Sequence, residues 1–205
     1  MFDKGVQFRM TNDVDAILLT SSEIKRAANQ VGDKFNLGNG WLNSDFKNTD
    51  SYSNKLIEVS KHYRTFSNVL NVRTIADEYL VAMKLMSGRR YKYDLSDVVG
   101  ILHEHNEKGN PISIEEITNA FNELYGEDAK MPESSSQLLK EIEATNNRGK
   151  LKELFLQTRK NEEKTKEMIL KFQEEYPNTI TKGNFTEVVE NLLRKATNKL
   201  NPPTR

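Results

Sequence analysis

The apolar positions of this chain follow two different spacings, and the change between them predicts its organisation. In the first third, short apolar runs alternate with polar breaks, as in residues 13–19, 41–43 and 56–75, which is typical of short strands. A helix is expected over about residues 22–35, between the first two runs. From about residue 75 onward, apolar residues recur every three or four positions, which indicates helices. The pattern predicts an α+β fold followed by a helical carboxy-terminal region.

The most apolar of these helices spans about residues 74–87, where almost every face carries large apolar side chains. A helix that is apolar all round is normally buried. Lys84 is the only charge between Glu78 and Arg89. A lysine in such a helix needs a partner carboxylate, a route by which its ammonium reaches solvent, or an anionic ligand.

Two carboxylates open the next predicted helix. Asp94 starts it, and Asp97 follows one turn later on the same face. Both suit the positive end of the helix dipole, where they would serve only as caps. The functional alternative is that one of them meets Lys84 near the aspartates at the start of the chain.

The carboxy-terminal third differs in composition from the rest. Segment 127–136 contains Pro132 and three serines, and predicts a linker between a domain at residues 1–126 and a helical region at residues 137–205. A long helix is expected over about residues 150–176. Its middle, residues 157–167, is wholly polar, with Glu162 and Lys166 at i,i+4 spacing, and is interpreted as a solvated face or an arm. The pattern leaves open whether these helices pack on the core or join another copy in an oligomer.

Composition excludes several classes of function. The chain has 205 residues with 30 Lys+Arg and 30 Asp+Glu, so no overall field attracts it to nucleic acid or to a membrane surface. It has no cysteine, which rules out disulfides, thiolate metal sites and cysteine nucleophiles. No apolar run reaches membrane-spanning length and no signal peptide follows Met1. We expect no membrane partner, and the composition fits a cytoplasmic protein.

The candidate chemistry lies near the start of the chain. Asp13 and Asp15 are two apart in a predicted strand, and therefore project from one face. Two carboxylates held this close repel each other unless a cation lies between them. A hard, oxygen-preferring cation such as Mg²⁺ is the usual solution, and it commonly brings a nucleotide phosphate, which Arg9 and Thr11 could contact. The alternative is that Thr11-Asn12-Asp13 is only a turn with exposed aspartates.

These residues occur in one order along the chain: Arg-x-Thr-x-Asp-Val-Asp at 9–15, Trp-Leu-Asn at 41–43, Ala-Met-Lys-Leu at 82–85, then Arg89 and Asp-x-x-Asp at 94–97. Over about residues 1–125 this order resembles a bacterial nucleotidyltransferase-like family of the DNA polymerase β-type superfamily. That family is related to abortive-infection and toxin–antitoxin nucleotidyltransferases. The resemblance implies a truncated nucleotidyltransferase-like mixed sheet with helices.

The resemblance also implies roles for individual residues. Asp13 and Asp15 would hold Mg²⁺ with a nucleoside triphosphate. Lys84 would neutralise phosphate charge, and Asp97 would complete the site. Arg9 would lie near the phosphates, while Asp94 and Arg89 are additional candidates.

The sequence departs from the superfamily pattern in two ways. A strand and a Gly-Ser motif normally precede the aspartates and bind the triphosphate through backbone amides. Here Met1 stands only a few residues before Gly5, so that segment has no counterpart, and residues 1–4 are interpreted as the tail of the missing helix. Residues 61–74 contain no Asp or Glu to act as the third carboxylate, for which Asp45 is a substitute candidate.

Three functions follow from these observations. The first is Mg²⁺-dependent transfer of a nucleotidyl group from a nucleoside triphosphate to a protein or RNA hydroxyl, in a toxin–antitoxin or phage-defence setting. The second is a non-catalytic binding module of the same fold, which acts through its helical carboxy-terminal region on a protein partner such as an antitoxin, or on RNA. The third is a structural domain whose aspartates are helix caps.

Overall fold

The computed structural model describes residues 13–19, 22–38, 40–145, 148–181 and 183–200. It divides the chain into two compact units, residues 1–59 and 60–205. The helices on both sides of the predicted linker 127–136 belong to the second unit. Within the described ranges the chain is mostly helical with two small two-stranded sheets, which agrees with the α+β pattern and the helical carboxy-terminal region at this coarser level.

The first unit is built on a strand, a helix and a second strand. β1 (Val14–Asp15) pairs in parallel with β2 (Leu42–Asn43), and α1 (Ser22–Phe35) connects them. A short 3-10 helix (Asp45–Asn48) and the one-turn α2 (Leu56–Val59) follow. The predicted strand–helix–strand order is confirmed.

Trp41 fixes α1 to this strand pair. Its indole N–H donates a hydrogen bond to the carbonyl of Ala28, 2.9 Å away. Gly32 is buried in α1 at the point where the indole ring lies on the helix. A Cβ at Gly32 would lie only 2.7 Å from Cδ1 of Trp41, so this close approach requires glycine.

The second unit begins with a hairpin of β3 (Lys61–Phe66) and β4 (Leu70–Thr74), which pair antiparallel. Six helices follow: α3 (Asp77–Ser87), α4 (Asp94–Glu107), α5 (Ile114–Tyr125), α6 (Glu133–Ala144), α7 (Arg148–Glu175) and α8 (Phe185–Leu200). α3 packs against α4, α5 and α6, while α4 packs mainly along α7, and α8 packs on α7.

The core of this unit is formed by the apolar faces that the sequence predicts. Its buried side chains are Val81, Ala82, Leu85, Leu95, Val98, Val99, Leu102, Ile117, Ala120, Phe121, Leu124, Leu138, Leu151, Phe155, Ile169 and Val189. α5 begins with a complete capping box, in which Ser113 and Glu116 satisfy each other's backbone amides. No helix in the described part of the chain is long and apolar enough to cross a bilayer.

Serines at the start of α6 cap the end of α3. Gly88 ends α3 with a positive φ of 52°, and Ser134 Oγ donates to its carbonyl. The buried Ser135 Oγ donates to the carbonyl of Leu85 at 2.7 Å. These bonds satisfy carbonyls that a helix end would otherwise leave without partners. The segment that leads into α6 is therefore attached to the core.

The middle of α7 is not a solvated arm. Thr158, Glu162 and Thr165 are buried there, in line with the buried apolar residues Leu151, Phe155 and Ile169. These six positions are spaced alternately by four and three residues, so they form one face of the helix, and this face packs along α4. The prediction of a wholly solvated middle is wrong for this face, because threonine and a hydrogen-bonded glutamate occupy core positions.

Candidate functional site

The βαβ arrangement of the first unit positions the two amino-terminal aspartates. Val14 donates its N–H to the carbonyl of Trp41, and Ala16 donates to the carbonyl of Asn43. Asp15 lies in β1 and Asp13 directly precedes it, so Val14 separates the two aspartates. Side chains two residues apart in an extended chain project to the same side. Asp15 lies opposite Asn43, where both parallel strands reach their carboxyl ends.

Both aspartates are exposed, and Val14 between them is exposed as well. Asp45 begins the 3-10 helix and is exposed. Its backbone N–H donates a hydrogen bond to Oδ1 of Asn43. Among the described residues, no three His, Cys, Asp or Glu side chains are grouped closely enough to bind a metal ion. Arg9 and Thr11 lie outside the described residues.

Lys84 and Asp97 meet between α3 and α4. Nζ of Lys84 lies 2.6 Å from Oδ2 of Asp97, and these side chains are 23% and 33% exposed. Of the three environments considered for a lysine in this apolar helix, the structure has the partner carboxylate. Asp97 is the carboxylate that pairs with Lys84. The expected position of this pair near the aspartates at the start of the chain stays a prediction.

A second ion pair closes the turn before α4. Nε of Arg89 lies 2.6 Å from Oδ2 of Asp94, and Nη2 lies 3.2 Å from Oδ1, so the guanidinium binds the carboxylate through two bonds. The Asp94 side chain is only 5% exposed. This pair is well formed and buried on the carboxylate side, so breaking it would leave a charge in the protein interior.

Glu162 is a further buried carboxylate that the sequence analysis assigned to the surface. It is 2% exposed and comes from α7 to the first turn of α4. Its Oε1 and Oε2 accept the backbone N–H groups of Leu95 and Ser96, at 3.0 Å and 3.3 Å. Tyr93, the residue before α4, makes no side-chain cap bond. Glu162 therefore supplies the amino-terminal cap of α4 from a distant helix.

Burial raises the pKa of Glu162 to about 7, because desolvation of the carboxylate outweighs the bonds from Ser96 and Leu95 that stabilise its charge. The charge of Asp94 adds a smaller effect in the same direction. The only sequence signal for this residue is its place on the four–three face of α7. That signal becomes visible only when the threonines on this face are counted as core residues.

The candidate residues belong to different units. Asp13, Asp15 and Asp45 lie in the first unit, whereas the Lys84–Asp97 and Arg89–Asp94 pairs lie in the second. The three carboxylates of the first unit are exposed, and the two ion pairs of the second unit differ in burial. The chain matches no family model, no curated protein and no solved structure.

Proposed function

We propose that this chain is a nucleotidyltransferase-like protein that binds a nucleoside triphosphate with Mg²⁺ through Asp13 and Asp15. The observation that carries the proposal is a pair of exposed carboxylates two residues apart, Asp13 just before β1 and Asp15 at the carboxyl end of the parallel strand pair. Ligands of open α/β sheets bind outside the carboxyl ends of their strands. In this proposal, β1 and β2 belong to the truncated mixed sheet that the sequence resemblance implies.

The donor set suits a magnesium nucleotide better than a protein-enclosed metal. Mg²⁺ bound with a nucleotide usually takes one or two carboxylates and completes its shell with phosphate oxygens and water. The first unit offers two exposed carboxylates, Asp13 just before β1 and Asp15 within it. When bound, the cation would neutralise triphosphate charge at the transferred phosphoryl centre. Asp13 and Asp15 would bind and orient it, and one carboxylate would accept the proton of the attacking protein or RNA hydroxyl.

The two ion pairs of the second unit are expected to differ in role. The Lys84–Asp97 pair is partly exposed, and such pairs contribute only about 0–1 kcal/mol, so phosphate could replace Asp97 as the partner of Lys84 at little cost. The Arg89–Asp94 pair has a buried carboxylate, so its exchange would be expensive. Lys84 is therefore the candidate for phosphate binding, with Asp97 holding it in place, and Arg89 and Asp94 are structural. Arg9 and Thr11 remain candidates for phosphate contacts.

The second candidate function is a non-catalytic module that binds a partner through the carboxy-terminal helices. Leu156 and Leu170 on α7 are large apolar side chains that remain exposed on one side of the helix, about 21 Å apart along its axis. An antitoxin protein or a second copy of the chain would cover such a face. Either function would suit a toxin–antitoxin or phage-defence setting.

A thermal-shift experiment tests the nucleotide proposal. The protein is heated with each of the four common nucleoside triphosphates, in Mg²⁺ and in EDTA. A ligand present at a hundred times its dissociation constant adds about 2.7 kcal/mol of stability, which raises the Tm of a chain of this size by roughly 5–10 °C. We expect a rise that needs Mg²⁺ and that is lost in Asp13→Asn/Asp15→Asn.

The control is Asp33→Asn/Asp50→Asn, which removes two other exposed carboxylates of the first unit and should keep the shift. Lys84→Met should unfold at nearly the wild-type temperature yet weaken nucleotide binding. If no nucleotide shifts the wild type at about millimolar concentration, the aspartate proposal is wrong. A stable complex with a protein partner through α7 would then support the second function.

A further inference from the structure

The β3–β4 hairpin exposes both of its faces. Every residue of the two strands is exposed except Val72, which is half-buried. A two-stranded hairpin without further packing is only marginally stable in water. Large apolar side chains that stay exposed on such a hairpin are typical of a binding surface.

A bulge at Tyr63 sets the faces of this hairpin. His62 pairs with Arg73 and Arg64 pairs with Val72, so Tyr63 has no opposite residue and is 67% exposed. Beyond the bulge, the register places a set of apolar and cationic side chains on one face: Arg64, Phe66, Leu70 and Val72. The other face is polar, where His62 and Asn71 both contact the hydroxyl of Thr65.

The hairpin is strongly basic, although the chain as a whole is neutral. Residues 61–74 contain Lys61, Arg64 and Arg73 and no Asp or Glu, whereas the full chain has 30 residues of each sign. The Arg64 guanidinium lies over the Phe66 ring, with Cζ 5.1 Å from the ring centroid. A flat cationic and aromatic platform is therefore exposed next to a second exposed aromatic ring, Tyr63.

This combination fits single-stranded nucleic acid. Such strands bind where cations follow the phosphates and where aromatic or guanidinium planes accept the unstacked bases. A protein partner would instead favour an apolar centre depleted of charge, but here the Arg64 guanidinium lies over the Phe66 ring. We infer that the β3–β4 hairpin binds single-stranded nucleic acid, with bases on Tyr63 and Phe66 and phosphates at Lys61 and Arg64. This inference does not depend on the aspartate site.

Fluorescence anisotropy of a labelled oligouridylate of about 12 nucleotides tests the inference. The full chain is titrated in EDTA without nucleotide, over a series of salt concentrations, and an oligodeoxythymidylate of equal length serves as the DNA counterpart. Because the aspartate site needs Mg²⁺, the result reports on the hairpin whatever the fate of the nucleotide proposal.

Two kinds of substitution should affect binding differently. Arg64→Gln removes a phosphate contact, so we expect weaker binding and a salt dependence whose log–log slope falls by about 0.7. Tyr63→Ser removes a stacking plane, so we expect at least about fivefold weaker binding with an unchanged slope. Phe66→Ser should behave like Tyr63→Ser, but it also removes a side chain paired with Leu70. Tyr63→Ser therefore keeps the test valid if Phe66→Ser disturbs the hairpin.

The matched control is Lys160→Gln, which removes an exposed cation from α7 and should bind as the wild type does. Wild-type protein that fails to bind either oligonucleotide at low salt would overturn the inference. The same holds if Arg64→Gln and Tyr63→Ser both bind as tightly as the wild type. If Tyr63→Ser binds normally and inorganic polyphosphate competes as well as RNA per charge, the hairpin is only a polyanion contact, and the inference is wrong.

Discussion

Glu162 should make the stability of the second unit depend on pH near neutrality. The perturbation is Glu162→Gln, which replaces the carboxylate with an uncharged group of the same shape. The carboxylate accepts two backbone N–H groups of α4 in the protein interior. Glutamine keeps one carbonyl oxygen, which can accept one of these N–H groups, and like the protonated carboxyl group it carries no charge.

The pKa of Glu162 sets the size and the direction of the effect. Burial raises this pKa from 4.5 to about 7, so the folded protein holds a proton that the unfolded chain has released. The free energy of unfolding therefore falls as the pH rises from about 4.5 to about 7. One pKa unit corresponds to 1.36 kcal/mol, so the fall attributable to Glu162 is roughly 3 kcal/mol.

Urea unfolding followed by far-UV circular dichroism, at several pH values across this window, measures the effect. The stability of Glu162→Gln should not change across this window, whereas the wild type should lose roughly 3 kcal/mol between the acidic end and pH 7. Glu163→Gln is the matched control, because Glu163 is half-exposed and forms an ion pair with Arg159 of the same helix, with Nε 3.5 Å from Oε1. Its stability should follow the wild type at every pH. The reasoning is refuted if the free energies of unfolding of Glu162→Gln and the wild type change with pH in parallel. It is also refuted if the wild type becomes more stable relative to Glu162→Gln as the pH rises.

Three glycines give further predictions. Gly88→Ala should lower the free energy of unfolding by about 2 kcal/mol or more, since its Cβ would lie 2.7 Å from the bonded Oγ of Ser135. Gly109 also has a positive φ, but no atom lies near the position of its Cβ, so Gly109→Ala should show only the backbone cost of about 1 kcal/mol. Equal losses of stability for Gly88→Ala and Gly109→Ala in urea titrations would contradict this account. Gly32→Ala should reduce the hydrogen-exchange protection of α1, because the new Cβ would meet the Trp41 ring. Alanine has the better helix propensity, so an increase in protection would instead show that the ring can move aside.

The helical core could be predicted from the sequence because its signals are local. The apolar stripe of α3 and the capping box at Ser113 and Glu116 each follow from residues within a few turns of one another. The face of α7 that packs on α4 could not be predicted in this way. Thr158, Glu162 and Thr165 become core residues only because another helix supplies backbone groups and a surface to cover them.

The candidate site shows the same contrast. The spacing of Asp13 and Asp15 fixes their common face wherever a strand forms, so it follows from the sequence. The pairing of Lys84 with Asp97, rather than with Asp94, depends on how α3 crosses α4, which no local pattern records. The basic hairpin could be recognised in the sequence from the absence of acidic residues, but the exposure of both its faces could not.

The contact between Trp41 and Ala28 gives the protein an internal optical reporter. Trp41 is the only tryptophan of the chain, and it lies in the first unit against α1. Intrinsic fluorescence therefore follows the environment of the βαβ arrangement, while far-UV ellipticity is dominated by the six long helices of the second unit. In one denaturant titration, coincident curves would mean that the units unfold cooperatively, and separated midpoints would give each unit its own stability.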